Sequence, residues 1–138
     1  MKSIPAQLRR QVVLRAGDRC EYCGLAQDGQ EATFHIDHIV PTAVRGSTTP
    51  DNLALACVSC SLRKEARRSG RDPQTGRTVS LFNPRRQKWA NHFKWDGFTV
   101  VGLTPTGRTT VASLRLNRSS ILAIRAEESV RGRHPPRG

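Results

Sequence analysis

The chain has 138 residues, of which only 36% are hydrophobic and 5% aromatic, so it can form one domain with a small apolar core and an extension. The net charge of +12 is uneven, at +3 over residues 1–70 and +9 over residues 71–138, which is typical of proteins that bind nucleic acid. No segment approaches the roughly 20 apolar residues of a membrane span, and no signal-peptide region precedes the first element, which predicts a cytoplasmic protein without a membrane partner.

The first predicted element is a helix that Ser3 can cap and that extends to about Ala16. Leu8, Val12 and Ala16 recur at helical spacing, and Gly17 is a natural end for the helix. The helix therefore has one apolar stripe, and the basic side chains near it lie mostly off that stripe.

Two Cys-x-x-Cys pairs follow this helix, separated by 33 residues. In a reducing cytoplasm paired cysteines bind metal more often than they form disulfides, so one tetrahedral zinc site is the prediction and two disulfides are the alternative. A site with four thiolate ligands is saturated and leaves no position for water, so the cysteines should support the fold without taking part in chemistry. The four are Cys20, Cys23, Cys57 and Cys60.

The segment between the cysteine pairs contains two predicted strands, residues 32–40 and 53–56, and a helix is predicted over residues 57–68. Adjacent residues face opposite sides of a regular strand, so Asp37 and His38 can reach one site only where the strand bends or ends, which Pro41 permits.

An adjacent carboxylate and imidazole suit phosphodiester hydrolysis. A neutral imidazole can deprotonate water near pH 7, and a carboxylate can hold a divalent cation beside the phosphate. His35 alternates with Asp37 along the strand, so it is either a further cation ligand or a partly buried strand histidine.

Taken in order over about residues 19–64, these motifs resemble the HNH endonucleases in their zinc-bearing, four-cysteine form. The resemblance implies an α+β architecture with a small ββα-metal core, in which two strands and a helix surround one Mg²⁺ or Mn²⁺ ion. It also implies that Asp37 binds this ion, that His38 is the general base, and that Asn52 orients the loop carrying the base. The matching motifs are Cys20-x-x-Cys23, Asp37-His38-Ile39-Val40-Pro41, Asn52-Leu53-Ala54-Leu55 and Cys57-x-x-Cys60-x-x-x-Lys64.

One position departs from the family pattern, because Ser61 stands where the family usually has Asn or His. A hydroxyl is a shorter and weaker ligand for Mg²⁺, so Ser61 can leave a weaker but active site, act through a bridging water, or abolish catalysis. The chain is predicted to be a metal-dependent endonuclease that cleaves DNA. The alternative is a DNA-binding module that zinc stabilises and that is weakened in catalysis. A third possibility is a structural or regulatory zinc protein that binds protein or RNA.

The second half resembles the C-terminal extension of a bacterial HNH subgroup. Strand-like residues 99–103 and 109–114 predict a hairpin, and Asn117 can cap a last helix. The domain prediction is a nuclease core with zinc knuckles over 1–70, a basic extension over 71–129 and a disordered tail over 130–138.

The basic extension predicts phosphate contacts, which strengthen binding without selecting a sequence. DNA is the expected partner, RNA remains open, and the protein is either a monomer or a homodimer. The candidate nucleic-acid contacts are Arg63, Lys64, Arg85, Arg86 and Lys88.

Overall fold

The structure is a computed structural model that describes residues 4–137, so Ser3, the predicted cap, lies outside the described residues. Over this range, five α-helices, the 3-10 helices Thr42–Val44 and Pro50–Asn52, and three two-stranded antiparallel sheets give the predicted α+β class. None of these helices is long and apolar enough to cross a bilayer. The elements are α1 Ala6–Arg15, β1 His35–His38, β2 Leu53–Ala56, α2 Val58–Lys64, β3 Ser69–Arg71, β4 Thr78–Ser80, α3 Trp89–His92, β5 Phe93–Asp96, β6 Thr99–Gly102, α4 Pro105–Ser113 and α5 Ser119–Val130.

The central hairpin pairs β1 with β2, which fall within the two predicted strands, in an antiparallel arrangement with Asp37 opposite Ala54 and His38 opposite Leu53. All four residues of β2 are buried, because α1 and α2 both contact this strand. A strand buried on both faces has a continuous apolar sequence instead of an alternating one. The strand β1 is shorter than predicted and ends at His38.

The helix α2 starts directly after the second strand. Cys57 is its N-cap, and the Cys57 sulfur accepts a hydrogen bond from the Cys60 amide at 3.4 Å. The helix ends at Lys64, because Glu65 adopts a positive φ of 48° and cannot continue it. This end comes four residues before the predicted one.

The predicted hairpin in the second half is wrong in its position. Residues 109–114 lie largely within α4, which starts where the Thr104 hydroxyl accepts a hydrogen bond from the Gly107 amide at 3.0 Å and Pro105 occupies the first turn. The hairpin instead joins β5 and β6, with Gly97 in the turn at φ +61°. Asn117 does not cap α5, because its side-chain amide pairs with the backbone of Val100.

Side chains from the two halves of the chain pack together. One apolar cluster includes Val12 and Leu55 from the first half together with Phe82 and Leu116 from the second, and the division at residue 70 stays a prediction. Trp89 belongs to this body as well, because its indole donates to the Tyr22 carbonyl at 3.0 Å. The aromatic side chains of the extension therefore contribute to the shared core.

The segment expected to be a disordered tail has defined contacts in the structure. Arg133 forms an ion pair with Glu128 at 2.8 Å. The ring of His134 packs edge-on against Trp95, with the ring centroids 4.6 Å apart. These contacts form because α5 extends to Val130 and brings the last residues back to the zinc knuckle and the β5–β6 hairpin.

Candidate active site and metal centre

The four cysteines form one buried cluster, in which all four sulfur atoms lie within 4.8 Å of one another. The sulfurs of Cys23 and Cys57, one from each pair, are 3.7 Å apart. Tetrahedral zinc with bonds of about 2.3 Å separates its sulfur ligands by about 3.8 Å. The donor set and its spacing therefore fit zinc, and the prediction of one four-cysteine metal site is confirmed.

Electrostatics at this cluster also favour a bound cation. Burial raises the pKa of the Cys20 thiol, whereas hydrogen bonds from the other three thiols lower the pKa of Cys57. Four buried thiolates side by side would repel one another. A divalent cation allows all four to be thiolates at once.

Arg125 of α5 lies beside this cluster and was missed by the sequence reasoning. It is only 2% exposed, and its guanidinium carbon lies 5.0 Å from the ring centroid of Trp95. Burial lowers the pKa of Arg125, while the neighbouring charges of Cys23, Cys60 and Cys20 raise it. Its Nη1 donates to the Phe98 carbonyl at 2.8 Å, whereas Nη2 has no hydrogen-bond partner in the part of the chain that the structure describes.

Asp37 lies on the face of β1 that contacts α2, and its carboxylate is held by two buried donors. The Tyr22 hydroxyl donates to Oδ2 at 2.7 Å, and the Lys64 ammonium lies 3.1 Å from the same oxygen. Burial, followed by the Asp37 charge, raises the pKa of Tyr22 well above its usual value, so the phenol stays protonated and can donate. The other oxygen, Oδ1, has only the longer Lys64 contact at 3.4 Å and keeps a lone pair for a cation.

The predicted phosphate contact at Lys64 is not supported by this structure. Lys64 is 2% exposed, and besides Asp37 its ammonium contacts the carbonyl oxygens of His38 and Ile39, both at 3.4 Å. The cause is that α2 packs onto the hairpin and turns this side chain inward. Lys64 therefore belongs to the interior of the site, not to its surface.

His35 and Ser61 meet at the same interface between β1 and α2. The Nδ1 atom of His35 lies 2.8 Å from the Ser61 hydroxyl oxygen. His35 is two residues before Asp37 and so lies on the same face of the strand. Ser61 lies one turn before Lys64 on α2.

His38 lies on the other side of the strand end, where its Nε2 atom is 2.9 Å from the Thr48 hydroxyl. Asn52 holds the loop that carries Thr48: its Oδ1 accepts from the Val40 amide at 2.9 Å, and its Nδ2 donates to the carbonyls of Val40 at 3.0 Å and Ser47 at 2.8 Å. Within residues 4–137, no hydrogen bond joins the His38 and Asp37 side chains. Asp37 and His38 are the last two residues of β1, and their side chains face different sides of the strand.

Basic side chains surround this centre unequally. Arg86 and Lys88 are exposed, and Arg63 is half-buried against Ser59. Arg85 is not free for phosphate, because it is paired with Glu21 and donates to the Leu53 carbonyl.

An open cleft of about 490 Å³ adjoins the residues that follow His38. Arg68 and Arg86 line it together with Ile39, Val40 and Lys64. Arg86 is one of the predicted nucleic-acid contacts, whereas the position of Arg68 at this cleft is apparent only from the fold. Tyr22 and Thr48 were missed altogether, because their contacts depend on the tertiary fold and no spacing signal marks them.

Comparison with known proteins finds the resemblance that the sequence motifs predict. Residues 20–67 match the family model described as HNH endonuclease, and this segment contains the four cysteines, β1, β2 and α2. Over 105 residues, which are 75% of the chain, the sequence is 25% identical to the Septu protein PtuB of Bacillus thuringiensis, and the chain spans 38% of the length of that relative. No solved structure matches the chain. Residues 20–67 are therefore similar to the HNH endonuclease family, in the segment where the sequence motifs predict that resemblance.

Proposed function

We propose that the protein is a metal-dependent endonuclease that hydrolyses phosphodiester bonds in DNA. The observation that carries this proposal is the arrangement of β1, β2 and α2 around Asp37 and His38, within the segment that matches the HNH family. The four-cysteine cluster supports it, because Cys57 and Cys60 fix the start of α2 relative to the knuckle that contains Tyr22.

In this proposal, His38 is the general base. Its Nε2 lies 2.9 Å from the Thr48 hydroxyl, and a water molecule that replaces this hydroxyl would occupy the position from which the imidazole can take a proton. His38 takes the proton of this water, which then attacks the phosphorus. Asn52 holds the surrounding loop through three hydrogen bonds and so limits the positions that the imidazole and the water can adopt.

Asp37 is the proposed ligand of the divalent cation, with Ser61 beside it on α2. A bound Mg²⁺ or Mn²⁺ would supply the positive charge that stabilises the leaving 3′ oxygen. Tyr22 and Lys64 fix the orientation of the Asp37 carboxylate. Arg86 and Arg68, which line the cleft next to Val40, are placed to contact the phosphates that flank the cleaved bond.

A zinc-stapled DNA-binding module that has lost catalysis is the second candidate, and a specific observation favours it. Lys64 places an ammonium group on Asp37, and Ser61 is a short ligand, so the cation affinity of the site is lower than that of a bare carboxylate with Asn. This candidate predicts DNA binding that weakens steeply with salt, without cleavage.

The two candidates are separated by incubating zinc-loaded protein with supercoiled plasmid in Mg²⁺ or Mn²⁺. A nuclease with one centre per chain produces nicked circles first, and neither EDTA-treated protein nor His38→Ala should do so. Arg9→Ala provides a matched control, because it removes an exposed charge on α1, outside the centre, and should retain cleavage. Equal relaxation by all samples, or binding without relaxation in either metal, would refute the nuclease proposal.

A further inference from the structure

The contact between His35 and Ser61 places an imidazole nitrogen beside the proposed cation site. The Nδ1 of His35 and the hydroxyl oxygen of Ser61 are 2.8 Å apart. Two ligand atoms at right angles on an ion with bonds of about 2.1 Å are separated by about 3.0 Å. The two atoms are therefore as close as neighbouring ligands of one octahedral cation.

Asp37 provides the third ligand in the same interface. It shares a face of β1 with His35, and its partner Lys64 is one turn from Ser61 on α2. The strand thus contributes a nitrogen and a carboxylate oxygen, and the helix contributes a hydroxyl. Because the helix ligand is short, His35 is placed to add a ligand from the strand.

We infer that His35 is a ligand of the divalent cation and that it gives the site a preference for Mn²⁺ and related transition metals over Mg²⁺. This inference rests on the proposed function, because it concerns the same site. Imidazole nitrogen is a good ligand for Mn²⁺, Co²⁺ and Ni²⁺, whereas Mg²⁺ binds oxygen almost exclusively. The Lys64 ammonium on Asp37 strengthens the preference, because it weakens the carboxylate contribution on which Mg²⁺ depends.

The test measures metal binding directly, without DNA. Zinc-loaded full-length protein is titrated with Mn²⁺ and separately with Mg²⁺, with calorimetry for both ions and electron paramagnetic resonance for free Mn²⁺. We expect His35→Asn to weaken Mn²⁺ binding by about 10- to 100-fold and to change Mg²⁺ binding by less than about 3-fold. His134→Asn serves as the matched control, because this histidine contacts Trp95 and the Gly97 carbonyl instead.

A second variant keeps the inference testable if His35→Asn is poorly folded. Ser61→Asn restores an oxygen ligand of normal length on α2, so it should increase Mg²⁺ affinity and narrow the difference between the two metals. Circular dichroism establishes that each variant retains its fold.

The outcomes separate this inference from the nuclease proposal. Unchanged Mn²⁺ affinity in folded His35→Asn would overturn the inference, and metal-dependent nicking by the wild type would still stand. Mn²⁺ binding that depends on His35, without plasmid cleavage in any metal, would support the cation site and overturn the nuclease function.

Discussion

Lys64→Met should destabilise the protein strongly, although it replaces a charge with an apolar chain of similar length. The Lys64–Asp37 pair is 3.1 Å long, and the two side chains are only 2% and 7% exposed. The substitution leaves the Asp37 carboxylate buried with Tyr22 as its one remaining side-chain donor among the described residues. Removing one member of a buried pair costs about 3–5 kcal/mol, a large part of the roughly 5–15 kcal/mol of a typical domain.

This loss is measured by urea unfolding of zinc-loaded protein, followed by circular dichroism in buffer without Mg²⁺ or Mn²⁺. Asp37→Asn combined with Lys64→Met should recover a large part of it, because the double variant leaves no unpaired buried charge. Lys94→Met, at an exposed lysine, is the control. If Lys64→Met lowered the free energy of unfolding by less than about 1 kcal/mol, as this control should, the reasoning from a buried pair would be refuted.

Three further predictions concern the metal centre and the loop. Cys60→Ser should remove a zinc ligand and unfold the hairpin region, seen as loss of circular dichroism that excess zinc does not restore. Arg125→Leu should accelerate zinc transfer to a chromogenic chelator by about 10-fold, because a buried positive charge beside the thiolates is lost. Arg131→Leu is the control and should leave this rate unchanged, because Arg131 forms an exposed pair with Glu127. Asn52→Ala should reduce plasmid cleavage by about 10- to 100-fold with a smaller change in DNA affinity, because the loop around the base loses three hydrogen bonds; equal losses in gel-shift affinity and cleavage would contradict this.

The central hairpin and the metal cluster could be predicted because their signals are local. The paired cysteines indicate their own partners by spacing, and four consecutive apolar residues in β2 indicate a strand buried on both faces. Local signals gave a wrong prediction at Thr104-Pro105, because this pair is compatible both with the turn of a hairpin and with the start of a helix. The structure resolves this ambiguity because α4 packs on β3, β4 and β6.

The details of the site could not be predicted, because they depend on side chains that meet only in the folded protein. Lys64 lies four residues after Cys60, and this position in the sequence does not show which way the side chain points. In the folded protein, the orientation of α2 turns it toward Asp37. Tyr22 lies inside a zinc knuckle, where nothing in the sequence connects it to a carboxylate 15 residues later. Arg125 is in the last helix, far from the cysteines in the sequence, and it lies beside them only in the folded protein.

The two proposed metal positions are tested most directly by anomalous diffraction from crystals grown with zinc and soaked in Mn²⁺. The difference between anomalous maps collected just above and just below the zinc edge should show one peak at the centre of the four cysteine sulfurs. Data at the manganese edge should show a separate peak between β1 and α2, within bonding distance of Asp37 Oδ1 and near His35 and Ser61. Manganese bound only at the cysteines, or only at surface carboxylates, would contradict a hydrolytic centre at this interface.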